Sequence, residues 1–346
     1  MGEAMKVSVA VVPRERFRQF PVSLRSIFKT INEKVPVIVV DGGAPEHVRK
    51  ELYALCAERP FELVECQDFM LPNKARNIAL DRAETRYVAF CDNDLEYWPG
   101  WLDALVENAE ANGSSAVAPL IFIGPSDPPK IHHAGGSFVF RKDKAGHRLL
   151  FEVHHYDNVR LPDAEADKFR KAPLDHKNFE YHCVLTDAAR MRAIGGHDER
   201  LIIHEHLDSS LRLMLTGGRL TFEPRARVMY RAFVRFEDED WPYFLFRWAL
   251  HRAETSDRVF AENWGVYKDL SESRSGWIRL HRERAMFTRL PRLPKHLNRP
   301  RIKRALLKFY QPHILSRDTK RPDDKAPLVL PKPPVDCLEK TGIELV

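Results

Sequence analysis

From Lys6 to Ile123, apolar positions recur with a period that switches between two and 3.6. Lys6 to Val12 is a short apolar, β-branched run that predicts a strand. Val35 to Asp41 is another, ending at Asp41-Gly42-Gly43 where a strand meets a turn. Between them Pro21 to Thr30 carries helical spacing, with proline at the start where a missing N–H costs nothing. The unit repeats, with helices over Pro45 to Glu58 and Asn73 to Arg82 and strands over Phe61 to Glu65 and Arg86 to Cys91. An amphipathic helix from Pro99 to Ala111 and a strand from Ser115 to Ile123 follow. Alternation of this kind predicts an α/β fold, a mostly parallel sheet covered by helices on both faces.

Beyond Ile123 the pattern loosens. Gly124 to Lys130 is a proline-rich loop, Gly135 to Phe140 a strand, and Lys142 to Leu174 a polar stretch with few periodic cues. Order returns with a strand over His182 to Thr186 and a helix from Asp187 to Ile194 ending at Gly195-Gly196. A second helix runs from Glu205 to Thr216, with Leu207, Leu211, Met214 and Leu215 as its buried stripe. Thr221-Phe222 and Val228 to Tyr230 predict closing strands, and Trp241 to His251 an aromatic-rich helix.

At 346 residues, 44% apolar and 30% charged, the chain has an ordinary globular balance that excludes wholesale disorder. The expected division is one large domain over residues 1–240, a helical basic region over 241–317, and a proline-rich, loosely ordered tail over 318–346. No stretch is long and apolar enough to span a membrane, and Met1-Gly2-Glu3-Ala4 runs into a strand without a signal-peptide pattern, so a cytoplasmic location is expected. The five cysteines are odd in number and scattered, which predicts reduced thiols. Net charge is +6, but Val266 to Val346 holds 19 Lys and Arg against 9 Asp and Glu, so the remainder is acidic. Within that tail, basic residues from Arg299 to Leu315 interleave with Ile302, Leu306, Leu307 and Phe309. This spacing suits either peripheral contact with an anionic membrane surface or docking on the large domain, and no nucleic-acid partner is expected.

Asp92 and Asp94 stand two apart at the exit of an apolar strand, so while the strand continues their carboxylates share a face. Hard oxygen ligands so spaced suit Mg2+ or Mn2+, and ligands of open parallel sheets collect beyond the carboxyl ends of the strands. A solvated turn is the competing explanation of an isolated Asp-x-Asp.

The order of parts from Lys6 to Tyr230 resembles the family 2 glycosyltransferases of the GT-A fold. A strand that ends in Asp41 is followed by Asn73-Lys74-Ala75-Arg76-Asn77, which resembles the family's Ala-Arg-Asn segment. The strand delivering Asp92-Asn93-Asp94 comes next. Gly195-Gly196-His197-Asp198-Glu199 resembles Gly-Gly-Phe-Asp-Glu, and Glu205 to Arg212 resembles Glu-Asp-x-Asp-Leu-x-Leu-Arg, before Gly217 to Pro224. The resemblance implies a GT-A-like domain that takes a sugar from a nucleotide-diphosphate donor, UDP-linked by preference, and passes it with inversion to a hydroxyl on a glycan or lipid-linked acceptor in polysaccharide or glycoconjugate synthesis. It also implies that Asp41 faces the base or ribose, that Arg76 lies near the diphosphate or the pocket wall, and that Asn93 lies with the diphosphate. Asp94 then binds Mn2+ or Mg2+, Asp92 binds ribose or metal, and Asp198 approaches the acceptor.

Two departures stand out. The family's catalytic base is the Asp of Glu-Asp, and this chain has His206 there, so the base is His206 or Glu205. Tyr230 replaces a histidine that completes the metal site in many relatives, and a phenol titrating near 10 is a poor ligand for these ions. Asp208 and Arg212, four apart, suit a local ion pair as well as a substrate contact. His132-His133 and His154-His155 are more readily core or surface histidines than replacement ligands. A sugar-phosphate nucleotidyltransferase fits poorly, because Val12-Pro13-Arg14-Glu15-Arg16-Phe17-Arg18 contains no glycine-rich phosphate loop. The alternative from another class is a GT-A protein that binds nucleotide or glycan without transfer, anchored by its basic tail.

Overall fold

The computed structural model describes residues 6–144, 146–232, 234–268, 276–287, 294, 296–315 and 327–333. Its main sheet has nine strands, eight of them in the order β3-β2-β1-β4-β10-β6-β11-β5 with β7 beside β6. Strands β1 (Val7–Val12), β2 (Val37–Val40), β3 (Glu62–Val64) and β4 (Tyr87–Asp92) are mutually parallel. Beyond them β10 (Cys183–Asp187) runs antiparallel to both β4 and β6 (Ala116–Ile123). β11 (Leu220–Tyr230) is parallel to β6, and β5 (Leu95–Tyr97) closes the edge antiparallel to β11. The two closing strands expected after Gly218 are thus one strand, interrupted by an irregularity between Glu223 and Arg227.

Every residue of β1, β2 and β4 is buried because helices cover both faces of the sheet. Val9, Val11, Val37, Val39, Ala89 and Cys91 enter one core, and Ala10, Val12, Ile38, Val40, Val88 and Phe90 enter the other, as a period of two requires. On the first face α1 (Gln19–Thr30) inserts Phe20, Leu24 and Ile27 at helical spacing. Around it lie α2 (Glu46–Glu58) and α4 (Trp101–Asn112). On the other face lie α3 (Pro72–Arg82), α6 (Ala188–Ala193) and α7 (Glu205–Leu215), the last burying Leu207, Leu211 and Met214.

The stretch from Lys142 to Leu174 contains structure that its polar composition hid. Strand β9 (Arg148–His154) pairs antiparallel with β8 (Gly136–Lys142) and parallel with β12 (Tyr267–Lys268) in a separate three-stranded sheet, followed by α5 (Leu161–Ala166). Along one side of β9 Leu150 meets core while Glu152 and His154, two and four residues on, lie at a polar cavity, so apolar alternation breaks off after Leu150. β7 (Lys130–His133) pairs with β6 so that Ile131 opposes Phe122 and His133 opposes Ile121. His132 is the extra residue between them, a β-bulge.

The expected boundary at residue 240 is crossed by packing. Helix α8 (Asp240–Arg247) sends Tyr243 into the first core, edge-on to Phe17 and Phe69. Helices α9 (Leu250–Trp264), α10 (Gly276–Phe287) and α11 (Pro300–Leu315) gather Trp248, Ala253, Ile278, Met286 and Leu307 around Ile202 and Ile203. Of the two uses weighed for the Arg299–Leu315 segment, Leu307 is spent on docking, and Arg304 pairs with Glu283 at 2.9 Å. The described part of the tail, 327–333, lies against the large domain. Leu328 exchanges backbone and side-chain hydrogen bonds with Glu199, Leu330 is buried beside Gly195, and the Pro331 carbonyl accepts from Arg212. Cys337 lies outside the described residues; the other four cysteines are free thiols. Among the described residues no helix is long and apolar enough to cross a membrane.

Candidate active site

Strand β4 ends at Asp92, and Asn93 and Asp94 form the turn that follows; all three are fully buried. Register pairs Val12 with Asp92, so the residues leaving β1 necessarily meet those leaving β4. The Asn93 side chain accepts from the Arg14 amide at 2.7 Å, fixing the β1 exit loop. Arg14 Nη1 then lies 2.9 Å from Asp92 Oδ2, and Arg16 Nη1 lies 3.1 Å from Asp94 Oδ2. Arg16, held at φ +67°, also donates to the Ala232 and Val234 carbonyls. Glu15 between them pairs with Arg247 at 2.9 Å and accepts from the Trp248 indole. Burial pushes the Glu15 carboxyl up, but Arg247 and Arg14 outweigh it and bring the pKa down to about 2.

Arg76 is fully buried in α3, stacked 3.9 Å above the Tyr181 ring and 3.6 Å from Asp92 Oδ1. His182, just before β10, completes the ring of partners with Nδ1 2.9 Å from Asp92 Oδ2. Burial raises Asp92, yet Arg14, His182 and Arg76 hold its pKa below the ordinary value. Asp94 has less compensation: burial and the Asp92 charge leave it raised despite Arg16. Oδ1 of Asp92 and Oδ1 of Asp94 are both buried without a hydrogen-bond partner among the described residues, while each Oδ2 faces an arginine. A buried carboxylate oxygen without a donor is costly, and a bound cation removes that cost, so this donor set fits Mg2+ or Mn2+. Tyr230 stacks on His182 at 3.9 Å, and burial next to Asp94 pushes its phenol up, so it stays neutral.

Arg14, His182 and Tyr230 form one wall of a cavity of about 430 Å³ whose other walls include Glu152, His154, Glu180, Glu205 and His206. Helix α7 begins at this cavity because His204 adopts a left-handed conformation, φ +62°, and its Nε2 is tied to Asp257 of α9 at 2.8 Å. That costly backbone state turns Glu205 and His206 into the cavity. His206 Nε2 lies 2.8 Å from Glu152 Oε1 and 3.9 Å from Glu180 Oε1. Burial disfavours its charge, but Glu152 and Glu180 outweigh burial and raise its pKa to about 9. Glu205 is 7% exposed, and no hydrogen bond from the described residues holds its carboxylate. After α8, Arg247, Trp248 and His281 close the far wall.

Not every residue singled out from the sequence is brought here. Both Asp198 oxygens are held by Arg200, at 2.6 and 2.9 Å. Asp208 pairs with Arg212 at 2.7 Å and accepts from the Trp264 indole at 2.9 Å, which is the local ion pair its spacing suited. Asp41 lies past the end of β2, where Oδ1 accepts from the Gly43 and Cys66 amides; Oδ2 is buried with Arg49 at 3.8 Å. Conversely, Arg14, Arg16, Glu152, Glu180 and His182 line or support the site and were not singled out. An Arg-x-Arg directly after the strand that neighbours the Asp-x-Asp strand was the available signal for the first two.

A protein-family model described as Glycosyl transferase family 2 matches residues 8–160. The matched segment, less than half of the chain, is similar to a family 2 glycosyltransferase domain. Curated relatives called pre-mycofactocin glycosyltransferase, from two strains of Mycobacterium tuberculosis, are 27% identical over 208 residues. That alignment covers 59% of this chain, which spans only about two fifths, 39%, of the relatives' length. Among solved structures, GalNAc-T7 with UDP, GalNAc and Mn2+ matches with a TM-score of 0.50 at 17% identity, over 85% of this chain and 60% of that one. The Pyrobaculum calidifontis mannosyltransferase PcManGT, in complex with GDP-Man and Mn2+, matches at 0.50 and 14% identity, over 90% and 81%. These likenesses establish the GT-A fold.

Proposed function

We propose that this chain transfers a glycosyl group from a nucleotide-diphosphate sugar to a hydroxyl acceptor with inversion. The observation that carries the reading is that Arg14, His182 and Tyr230, the partners of Asp92 and Asp94, share one cavity wall system with Glu205 and His206. A diphosphate end and a proton-accepting end therefore border the same space.

The Oδ1 atoms of Asp92 and Asp94, which accept no hydrogen bond among the described residues, would hold Mn2+ or Mg2+, which when bound neutralises charge on the departing diphosphate. Mn2+ accompanies the nucleotides in both structural neighbours named above, which supports that choice. Arg14, Arg16 and Arg76 supply fixed positive charge beside it, and Asn93 holds the loop that carries Arg14. Asp41, with Oδ2 free of a hydrogen-bond donor, takes the base or ribose. A UDP-sugar is the preferred donor; a glycan or lipid-linked hydroxyl is the acceptor, as in polysaccharide or glycoconjugate synthesis.

In the transfer step the acceptor oxygen forms a bond to the anomeric carbon as the bond from that carbon to the diphosphate oxygen breaks. The bonding pair leaves with the nucleoside diphosphate, and the acceptor proton passes to a base. Of the two candidates, His206 already carries a proton near neutrality because Glu152 and Glu180 favour its charged form. Glu205, a carboxylate at the start of α7 that lines the same cavity, takes the role.

Nucleoside diphosphate release from a panel of UDP-, GDP- and dTDP-sugars, with Mn2+, with Mg2+ and with chelator, tests the reading. Chelator-sensitive release from one donor supports transfer and names the donor. Metal-dependent binding without turnover, in the presence of varied acceptors, favours a binding-only protein, and no binding at all refutes the proposal.

A further inference from the structure

In the same cavity five side chains from separate parts of the fold converge, His132 lying next to His182, the partner of Asp92. His132 is the bulged residue of β7, Glu152 and His154 project from the same side of β9, Glu180 precedes β10, and His206 opens α7. One donor atom each from His132, His154 and Glu180 lie within 4.8 Å of one another, and so do those of Glu152, Glu180 and His206. Glu180 belongs to both groups. We propose that ligands drawn from these five residues, with Glu180 common to both groups, form a binding site for one divalent transition-metal ion distinct from the Asp92-Asn93-Asp94 group.

The distances suit the assignment. Metal–nitrogen and metal–oxygen bonds of roughly 2.0–2.2 Å place tetrahedral ligand atoms roughly 3.5 Å apart. His154 Nε2 already lies 3.0 Å from Glu152 Oε1 and 3.2 Å from Glu180 Oε1, and His206 Nε2 lies 2.8 and 3.9 Å from the same two atoms. Each of these four distances departs from that spacing by less than an ångström.

The donor set also specifies the class of ion. Two carboxylates balance a dication when the imidazoles are neutral ligands. Mixed imidazole and carboxylate donors suit Zn2+, Mn2+, Fe2+ or Co2+, whereas Mg2+ prefers an all-oxygen set such as Asp92 and Asp94. The Asn178 amide donates at 3.1 Å to Glu152 Oε1, the oxygen that faces His154 and His206, and so fixes its position. Asn178 is in turn locked against Gly136, where a Cβ would come within 1.8 Å of its Oδ1. The cluster opens on the cavity that also holds Glu205, which leaves room for water or an anionic acceptor group as a further ligand.

The assignment rests on these side chains and not on the transfer reading, and it is tested without donor or acceptor. Full-length protein stripped with chelator is titrated with Zn2+ by calorimetry and with Co2+ by its visible spectrum. We expect one tight equivalent at the cluster, distinguished from a weaker all-oxygen equivalent at Asp92 and Asp94 by Co2+ bands of a nitrogen and oxygen site, and a Zn2+-dependent rise in melting temperature. Affinity is expected to fall more than about tenfold in Glu180→Gln and in His154→Gln, and to be unchanged in Asp94→Asn. Circular dichroism checks each variant's fold, and His132→Gln, on a different strand, carries the same expectation if Glu180→Gln does not fold. Absence of Zn2+ and Co2+ binding in the wild type, binding that survives these cluster substitutions, or binding lost in Asp94→Asn would each overturn the proposal.

Discussion

Two groups of buried charge border one cavity and are neutralised in opposite ways. At the ends of β1 and β4, Glu15, Asp92 and Asp94 are met by Arg247, Arg14 and Arg16. Guanidinium keeps its charge at any pH the protein meets, so this pairing is permanent. Between β9 and α7, Glu152 and Glu180 are met by His154 and His206, whose raised pKa values of about 11 and about 9 exist only because those carboxylates are there. The second pairing is conditional, since either imidazole can give up its proton to a base or its lone pair to a metal. A rigid cationic bed suits a diphosphate that is anionic in every state, and a reversible one suits the side where a proton or ion must come and go.

Four comparisons sharpen this contrast, beginning with the largest effect. Glu205→Gln is expected to lower kcat about 10²–10⁴-fold with donor affinity retained, while His206→Gln lowers it far less, both read from steady-state nucleoside diphosphate release. The reverse order would return the base role to His206. Asp94→Asn should cost about 10²–10³-fold in kcat/KM, and raising the Mn2+ concentration should restore part of it. A third comparison is of stability. Glu15→Gln strands Arg247 in the interior and should cost about 3–5 kcal/mol in chemical denaturation at neutral pH. Glu152→Gln should cost less, about 1–2 kcal/mol, because the facing histidines can shed their charge. Equal losses would break the distinction between permanent and conditional pairing.

The smallest effect is the pH profile of the melting temperature in chelator. His206 rises from 6.5 to about 9 on folding, so its stabilisation is complete below pH 6.5 and lost as pH climbs through 9. Glu15 falls from 4.5 to about 2, so its stabilisation is complete above pH 4.5 and lost as pH drops through 2. The alkaline decline should be shallower in His206→Gln and the acid decline shallower in Glu15→Gln. If the two variants exchange these behaviours, the electrostatic account of both ends fails.

Much of the fold was legible because burial on both faces or on one stripe leaves a periodic mark. The runs at Val7–Val12 and Tyr87–Asp92 and the stripe Leu207, Leu211, Met214 need no tertiary knowledge. Strand β9 was not legible, since Glu152 and His154 occupy the positions where a strand would otherwise show apolar alternation. The same physics separates the legible from the hidden parts of the site. Asp92, Asp94, Glu205 and His206 sit in local motifs, whereas Glu180 and His132 matter only through contacts between distant segments. Arg76 illustrates the limit of helix reasoning. On α3 it faces inward because Asn73 and Asn77 bind the 197–201 loop, donating to the Asp198 and His197 carbonyls, and so bury the helix's polar side.

The bulge in β7 bears on how this chain tolerates change in length. His132 reaches the cavity because one strand carries a residue that its neighbour lacks. Replacing residues around it alters what the strand presents, but deleting one would restore even pairing and rotate every following side chain to the opposite surface. Homologous sequences that keep the cluster should therefore vary in composition along β7 while preserving its residue count between Lys130 and Gly136.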